Sequence, residues 1–197
     1  MRTSAMTSLL TQPMPVTLPC SAVSLVVVSA VDELFTSADA RLGARWLGQR
    51  VVPLALVTGR PAGDVLALQA DLGARRPFVC GGGAELHVPI GYFPELTRIG
   101  IQRDGWNIVE FKPPYEAGHA VRFLISLFRL CSDQALIVGL AASARDRALL
   151  HEVDVPVVVR TDTPADTELL QAVPAAYLTN ARGAAGWNEA ILGSITE

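Results

Sequence analysis

Three polar positions stand just past buried-looking apolar runs. Asp32 follows Leu25–Val28, Thr58-Gly59-Arg60 closes the run from Val51 to Val57, and Asp146 lies beyond Leu136–Ala142. A carboxylate, a hydroxyl and a guanidinium at strand ends have the composition of a site for an oxyanion. With a second carboxylate, the same set grips a hard divalent cation and handles phosphoryl groups. In open α/β sheets the chain delivers such groups at the carboxyl ends of its strands, and helix starts add backbone N–H donors for an anion. The first strand end is short of one acid, however, because Ala30 stands beside the lone Asp32.

The other chemistry-bearing residues fall into place less readily. Ser29 as a nucleophile needs an adjacent base, and no spacing puts His87, His119 or His151 beside it. Nor does any spacing gather the three histidines around a metal. Cys80-Gly-Gly-Gly-Ala-Glu85 lacks both G-x-G-x-x-G and a following Lys-Ser/Thr, so it reads as a turn rather than a phosphate cradle. Lys112, followed by Pro113-Pro114, reads as a surface lysine, and Arg60 as a solvated one.

The elements that must position these groups follow from periodicity. Residues 1–22 are rich in Ser, Thr and Pro and predict a flexible N-terminal tail. "SLVVVSAV", "VVPLALV", "QALIVGLAAS" and "DVPVVVR" are strands apolar on both faces, the pattern of a parallel sheet. "SADARLGARWLGQR", "PAGDVLALQADLGA", "EAGHAVRFLISLFRLC", "ARDRALLHEV" and "AAGWNEAILGSI" are helices, the third the most amphipathic. "PFVC" is a strand leading through the glycines into a second extended segment. Alternation on both sides of Asp104-Gly105 predicts a hairpin. Strands alternating with helices give an α/β fold, one domain over 23–197.

Composition narrows the function. A net charge of −3 leaves no electrostatic footprint for nucleic acid, and no apolar stretch is long enough to span a membrane. Three scattered cysteines, with no C-x-x-C, predict neither a disulfide framework nor a zinc site. Arg2 and Leu25–Val28 weakly imitate a secretory signal, but prolines break the stretch between them, so a cytoplasmic location is expected.

The order "LVVVSAVDELFTS", "VPLALVTGRPAGDVLALQADLG", "PFVCGGGAELHVPIGYF", "EAGHAVRFLISLFR", "ALIVGLAASARDRALLHEVDVPVVV", "GWNEAIL" resembles the haloacid dehalogenase superfamily over residues 23–193. Within that superfamily it is most similar to the mannosyl-3-phosphoglycerate phosphatase branch. The resemblance implies a three-layer α/β/α Rossmannoid core with a mainly parallel sheet. It also implies a site in which one aspartate attacks phosphorus and a second acts as general acid and base. A Ser or Thr binds the phosphate, a lysine neutralises charge, and paired acids hold Mg2+. Carried over by position, Ala30 takes the nucleophile's place, while Asp32 keeps that of the general acid, followed by Glu33 and Leu34. Thr58, with Gly59 and Arg60, matches the phosphate-binding group. The lysine falls on Ala117 and the metal-binding Gly-Asp pair on Ala141-Ala142, with Ser143 and Asp146 retained. The family's Glu-Asn-Gly becomes Gly81-Gly82-Gly83.

The family's lid is expected to be reduced to extended segments and a hairpin over 84–116. Loss of a covalent nucleophile alone costs on the order of 10⁴ to 10⁶ in rate. The expectation is therefore a catalytically inactive relative that acts by binding a protein partner or a second copy through the hairpin, where Tyr92, Phe93, Trp106, Ile108 and Phe111 are expected to be exposed. No cofactor is expected. The alternatives are a working Mg2+-dependent phosphatase, its metal on Asp32 and Asp146, and a sensor of a small anion at Thr58.

Overall fold

The computed structural model describes residues 14–15, 23–32, 34, 38–50, 52–93, 98–114 and 117–196. β1 (Leu25–Ala30), β2 (Leu54–Val57) and β3 (Phe78–Cys80) alternate with α1 (Ala38–Gln49) and α2 (Ala62–Leu72). After them come β4 (Glu85–Pro89), β5 (Ile101–Arg103), β6 (Trp106–Glu110) and α3 (Ala117–Cys131). The chain ends with β7 (Leu136–Ala141), α4 (Arg147–Leu150), β8 (Val155–Arg160), α5 (Ala165–Ala172), β9 (Tyr177–Arg182) and α6 (Gly183–Thr196).

The sheet runs in the order β9-β8-β7-β1-β2-β3-β4-β6-β5. Every pairing from β9 to β3 is parallel, and every pairing from β3 to β5 is antiparallel. Both faces of the parallel part are covered, as continuous apolar strands require. Val26, Val28, Ala55, Val79 and Ile137 face the side packed by α3, α4 and α5. Val27, Leu54, Leu56, Phe78 and Val138 face the side packed by α1, α2 and α6. The result is the three-layer α/β arrangement expected from the sequence.

Residues 84–116 build no separate lid among the described residues. Their three strands lengthen the sheet instead. The hairpin turns at Asp104-Gly105, where φ is +51° and +82°, the left-handed pair that a two-residue turn needs to match strand twist. The aromatic residues of this segment are not the exposed patch expected. Tyr92, Phe93, Trp106 and Ile108 are all buried, and Phe111 is half-buried. Phe93 packs edge-on against Phe128 of α3 with ring centres 5.3 Å apart, because the added strands need an apolar face of their own. The large apolar residues that stay exposed there are Ile90 and, on edge strand β5, Ile101.

Met14–Pro15, within the expected tail, pairs in parallel with Ala74–Arg75; the rest of residues 1–22 lies outside the described residues until Val23. Cys131 is disulfide-bonded, where the scattered cysteines had predicted none, and Cys80 is a free buried thiol. No helix among the described residues is long and apolar enough to cross a membrane.

Candidate functional site

The topology selects the site. β1 has β2 on one side and β7 on the other, with the chain reversing its direction of winding between them. A crevice opens at the carboxyl ends of strands at such a reversal. Asp32 sits there, just past β1, and Thr58-Gly59-Arg60 sits just past β2.

The four residues form one hydrogen-bonded unit. Thr58 Oγ1 donates to Asp32 Oδ1, and the Gly59 N–H donates to Asp32 Oδ2 at 3.1 Å. The Arg60 guanidinium lies 3.1 Å from Asp32 Oδ1 through Nε and donates to the Asp32 carbonyl through Nη2 at 3.1 Å. The Arg60 N–H in turn donates to Thr58 Oγ1 at 3.0 Å. Thr58 is buried and Asp32 half-buried. A hydroxyl, an amide and a guanidinium thus converge on one anion, and that anion is the chain's own carboxylate. Arg60, expected to be solvated, is half-exposed and paired.

The replaced positions are filled rather than open. Ala30 is buried among the apolar residues under α3, and Ala142 is buried on the opposite face. Ala117 opens α3, against the Gly81–Gly83 turn. At Gly83, where φ is +101°, a Cβ would stand 2.6 Å from Ala117 Cα, so the close approach demands glycine. The N–H groups of Gly81 and Gly82 donate to the carbonyls of Arg60 and Thr58, which makes the glycine run a turn with its amides engaged. Ser29 is buried, accepts from the Trp187 indole at 2.9 Å and donates to the Ala30 carbonyl, with no base among its bonds. Ser143 caps the short turn that contains Asp146. Lys112, His119 and His151 are exposed, and Glu33 lies outside the described residues.

Mg2+, which the family resemblance implies, does not fit these residues. Both Asp32 oxygens already accept hydrogen bonds, a guanidinium stands beside them, and alanine occupies the place of the paired acid. Asp32 and Asp146 belong to no group of three metal-ligating side chains among the described residues.

One such group does exist, and sequence reasoning missed it. Cys80 and Glu85 pair across β3 and β4, and His87 follows on the same face. The His87 Nε2 lies 2.7 Å from Glu85 Oε2, and Cys80 Sγ lies 3.8 Å from that oxygen. Burial, with the Glu85 carboxylate beside it, pushes the Cys80 thiol up to about 12. The signal was present as C-x4-E-x-H, but it becomes a cluster only once the glycine turn sets residue 80 opposite residue 85.

No family model matches the chain, and no curated protein matches it. Solved structures do. Sucrose-phosphatase from Synechocystis sp. PCC6803, in complex with sucrose and phosphate, superposes with a TM-score of 0.61 at 16% identity, covering 87% of this chain and 98% of that one. The cobalt-bound deoxy-D-mannose-octulosonate 8-phosphate phosphatase from Haemophilus influenzae gives 0.55 at 13%, covering 89% and 90%. A haloacid dehalogenase-like hydrolase protein from Bacillus subtilis gives 0.60 at 9%, covering 98% and 97%. At these identities the likeness is one of fold: the chain has the haloacid dehalogenase-like fold.

Proposed function

We propose that this chain is a binding protein on a phosphatase fold, without phosphoryl-transfer chemistry at its strand ends. One observation carries the reading: Asp32 is bonded by Thr58, Gly59 and Arg60 while buried Ala30 stands where a nucleophile is needed. A carboxylate engaged by its own scaffold is poorly placed to protonate a leaving group, and an alanine forms no phosphoenzyme. The test is phosphate release from an aryl phosphate and from mannosyl-3-phosphoglycerate, the ester suggested by the sequence resemblance, with and without Mg2+. We expect no turnover above buffer. Turnover that disappears in Asp32→Asn, or a phosphorylated side chain trapped by mass spectrometry, overturns the reading in favour of an active Mg2+-dependent phosphatase.

The convergence of three donors on one carboxylate favours a second reading, a sensor in which the oxyanion of a small phosphometabolite displaces Asp32. Calorimetry with phosphate and phosphoglycerate separates the two. For the protein-binding role, the partner is a second copy of this chain, docking through the β5–β6 hairpin. β5 is the edge strand of the sheet and carries Ile101, 59% exposed, and strands at such edges recruit others. A monomeric mass by light scattering in dilute solution rejects the dimer. The cytoplasmic location expected from the sequence meets one opposing observation, the disulfide at Cys131, since disulfides persist in oxidising compartments.

A further inference from the structure

The two-residue alternation of a β-hairpin places Cys80, Glu85 and His87 on one face. Their ligand atoms all lie within 4.8 Å of one another. Around a tetrahedral ion with bonds of about 2.0 Å to nitrogen and oxygen and about 2.3 Å to sulfur, ligand atoms stand roughly 3.3–3.5 Å apart. The observed separations, 2.7 Å for N···O and 3.8 Å for S···O, bracket that spacing, so small side-chain adjustments reach it.

The surroundings decide what kind of ion suits the cluster. Cys80 and His87 are buried, whereas the Glu85 side chain is 40% exposed and gives the cluster a side open to solvent. The His87 ring is held flat against Phe78, centres 4.5 Å apart, and edge-on to Trp106 at 6.1 Å. It is therefore fixed by stacking, and its Nδ1 is buried without a hydrogen-bond partner. The Glu85 carboxylate, which can only accept, makes Nε2 the protonated nitrogen in the metal-free chain. Ligation through Nε2 therefore shifts that proton to Nδ1, where no hydrogen bond opposes the change of tautomer. Sulfur and imidazole donors select a borderline or soft cation over Mg2+ or Ca2+.

We propose that Cys80, Glu85 and His87 form a binding site for a divalent transition-metal ion of the Zn2+ or Co2+ class. The thiol proton leaves to solvent as sulfur binds, and the three protein ligands leave a fourth position for water or an exogenous donor. The site is separate from the Asp32 unit, and its test does not depend on the function proposed above.

The experiment titrates Co2+ into the full-length, chelator-stripped chain. It reads absorbance and tryptophan fluorescence, with Trp106 the ring beside the site. Expected are a thiolate-to-cobalt charge-transfer band saturating at one ion per chain, quenching in parallel, and displacement by Zn2+ but not by excess Mg2+. Cys80→Ser abolishes the charge-transfer band, and Glu85→Gln weakens binding at least tenfold. Should Cys80→Ser fold poorly, the unaltered chain gives the same answer: Zn2+ slows alkylation of Cys80 followed by peptide mass. No charge-transfer band, a band that survives in folded Cys80→Ser, or alkylation indifferent to Zn2+ overturns the proposal.

Discussion

Asp32, half-buried at the end of β1, and His87, buried on β4 three strands away, each stand beside polar groups of opposite role, yet their surroundings differ in kind. Around Asp32 every partner comes from the scaffold: a hydroxyl, an amide and a guanidinium within two neighbouring loops. Around His87 the ring nitrogen faces a carboxylate and a thiol, and the other nitrogen has no partner. The fold places the first group at the crevice where ligands bind in such sheets. The second forms where the segment after β3 joins the sheet, which sets Glu85 and His87 of β4 beside Cys80. A polar group in the expected crevice can thus have its hydrogen bonds filled by the chain itself, while one outside it keeps a ring nitrogen without a partner.

The largest expected effect tests whether the β1 end is closed. Ala30→Asp puts a carboxylate among Val28, Val57 and Ala141 without a partner. A buried, uncompensated charge costs about 3–5 kcal/mol. Urea unfolding of the variant should show that loss, and phosphate release should stay at zero even with Ala117→Lys and Ala142→Asp added. Wild-type stability for Ala30→Asp, or restored turnover in the triple variant, would show that the crevice retained room for a phosphoryl group, and the contrast with His87 would collapse.

Gly83→Ala strikes both regions at once, because the glycine turn holds Cys80 opposite Glu85 and leans on Thr58 and Arg60. A positive φ forced on alanine costs of the order of 1–3 kcal/mol, and contact with the Ala117 backbone adds to it. We expect a lower unfolding midpoint together with weaker Co2+ binding. A stable variant with unchanged Co2+ binding would mean the turn does not set the register.

The sequence carried the parallel core because strands apolar on both faces and amphipathic helices are local patterns. Asp104-Gly105 announced its hairpin for the same reason. Two elements escaped notice, α5 and β9. β9 buries only Thr179 fully, so it lacks the continuous apolar run of its neighbours, and α5 buries only Leu169. The aromatic residues of 84–116 were misread as exposed because sequence shows that a residue is apolar, not which neighbour covers it. Asp32, Thr58 and Arg60 were legible as a set, but their bonding to one another was not. The Cys80 cluster needed a register that only tertiary pairing reveals.

Asp32→Ala sharpens the comparison from the other side. It leaves Thr58 Oγ1, the Gly59 N–H and Arg60 facing a vacated acceptor, much as His87 Nδ1 lacks a partner now. Removing a charged hydrogen-bond acceptor costs about 1–2 kcal/mol here, where solvent reaches the site. Millimolar phosphate should restore part of the unfolding midpoint, because a ligand that binds only the folded state stabilises it by mass action. Phosphate without effect on this variant would remove the sensor reading and leave the Asp32 unit a purely structural cap.

The smallest effect concerns a carboxylate satisfied in the same manner as Asp32 but far from either site. Glu189 on α6 accepts from the Asn180 and Ala181 N–H groups at 3.0 and 2.7 Å and from the Tyr177 hydroxyl at 2.9 Å. The two backbone donors, chiefly, hold its carboxyl down at about 2 from the ordinary 4.5. A depressed folded value means the stabilisation is whole above about 4.5 and drains away as pH falls toward 2. Glu189→Gln should therefore unfold earlier than the parent at neutral pH by at most about 1 kcal/mol, given the solvent around these bonds. The gap should close between those two pH values, read from urea midpoints across the range. A gap that persists unchanged at pH 2 would mean that Glu189 ties β9 to α6 by packing alone, and that carboxylates bonded by backbone amides in this fold, Asp32 included, cannot be assumed to act through their charge.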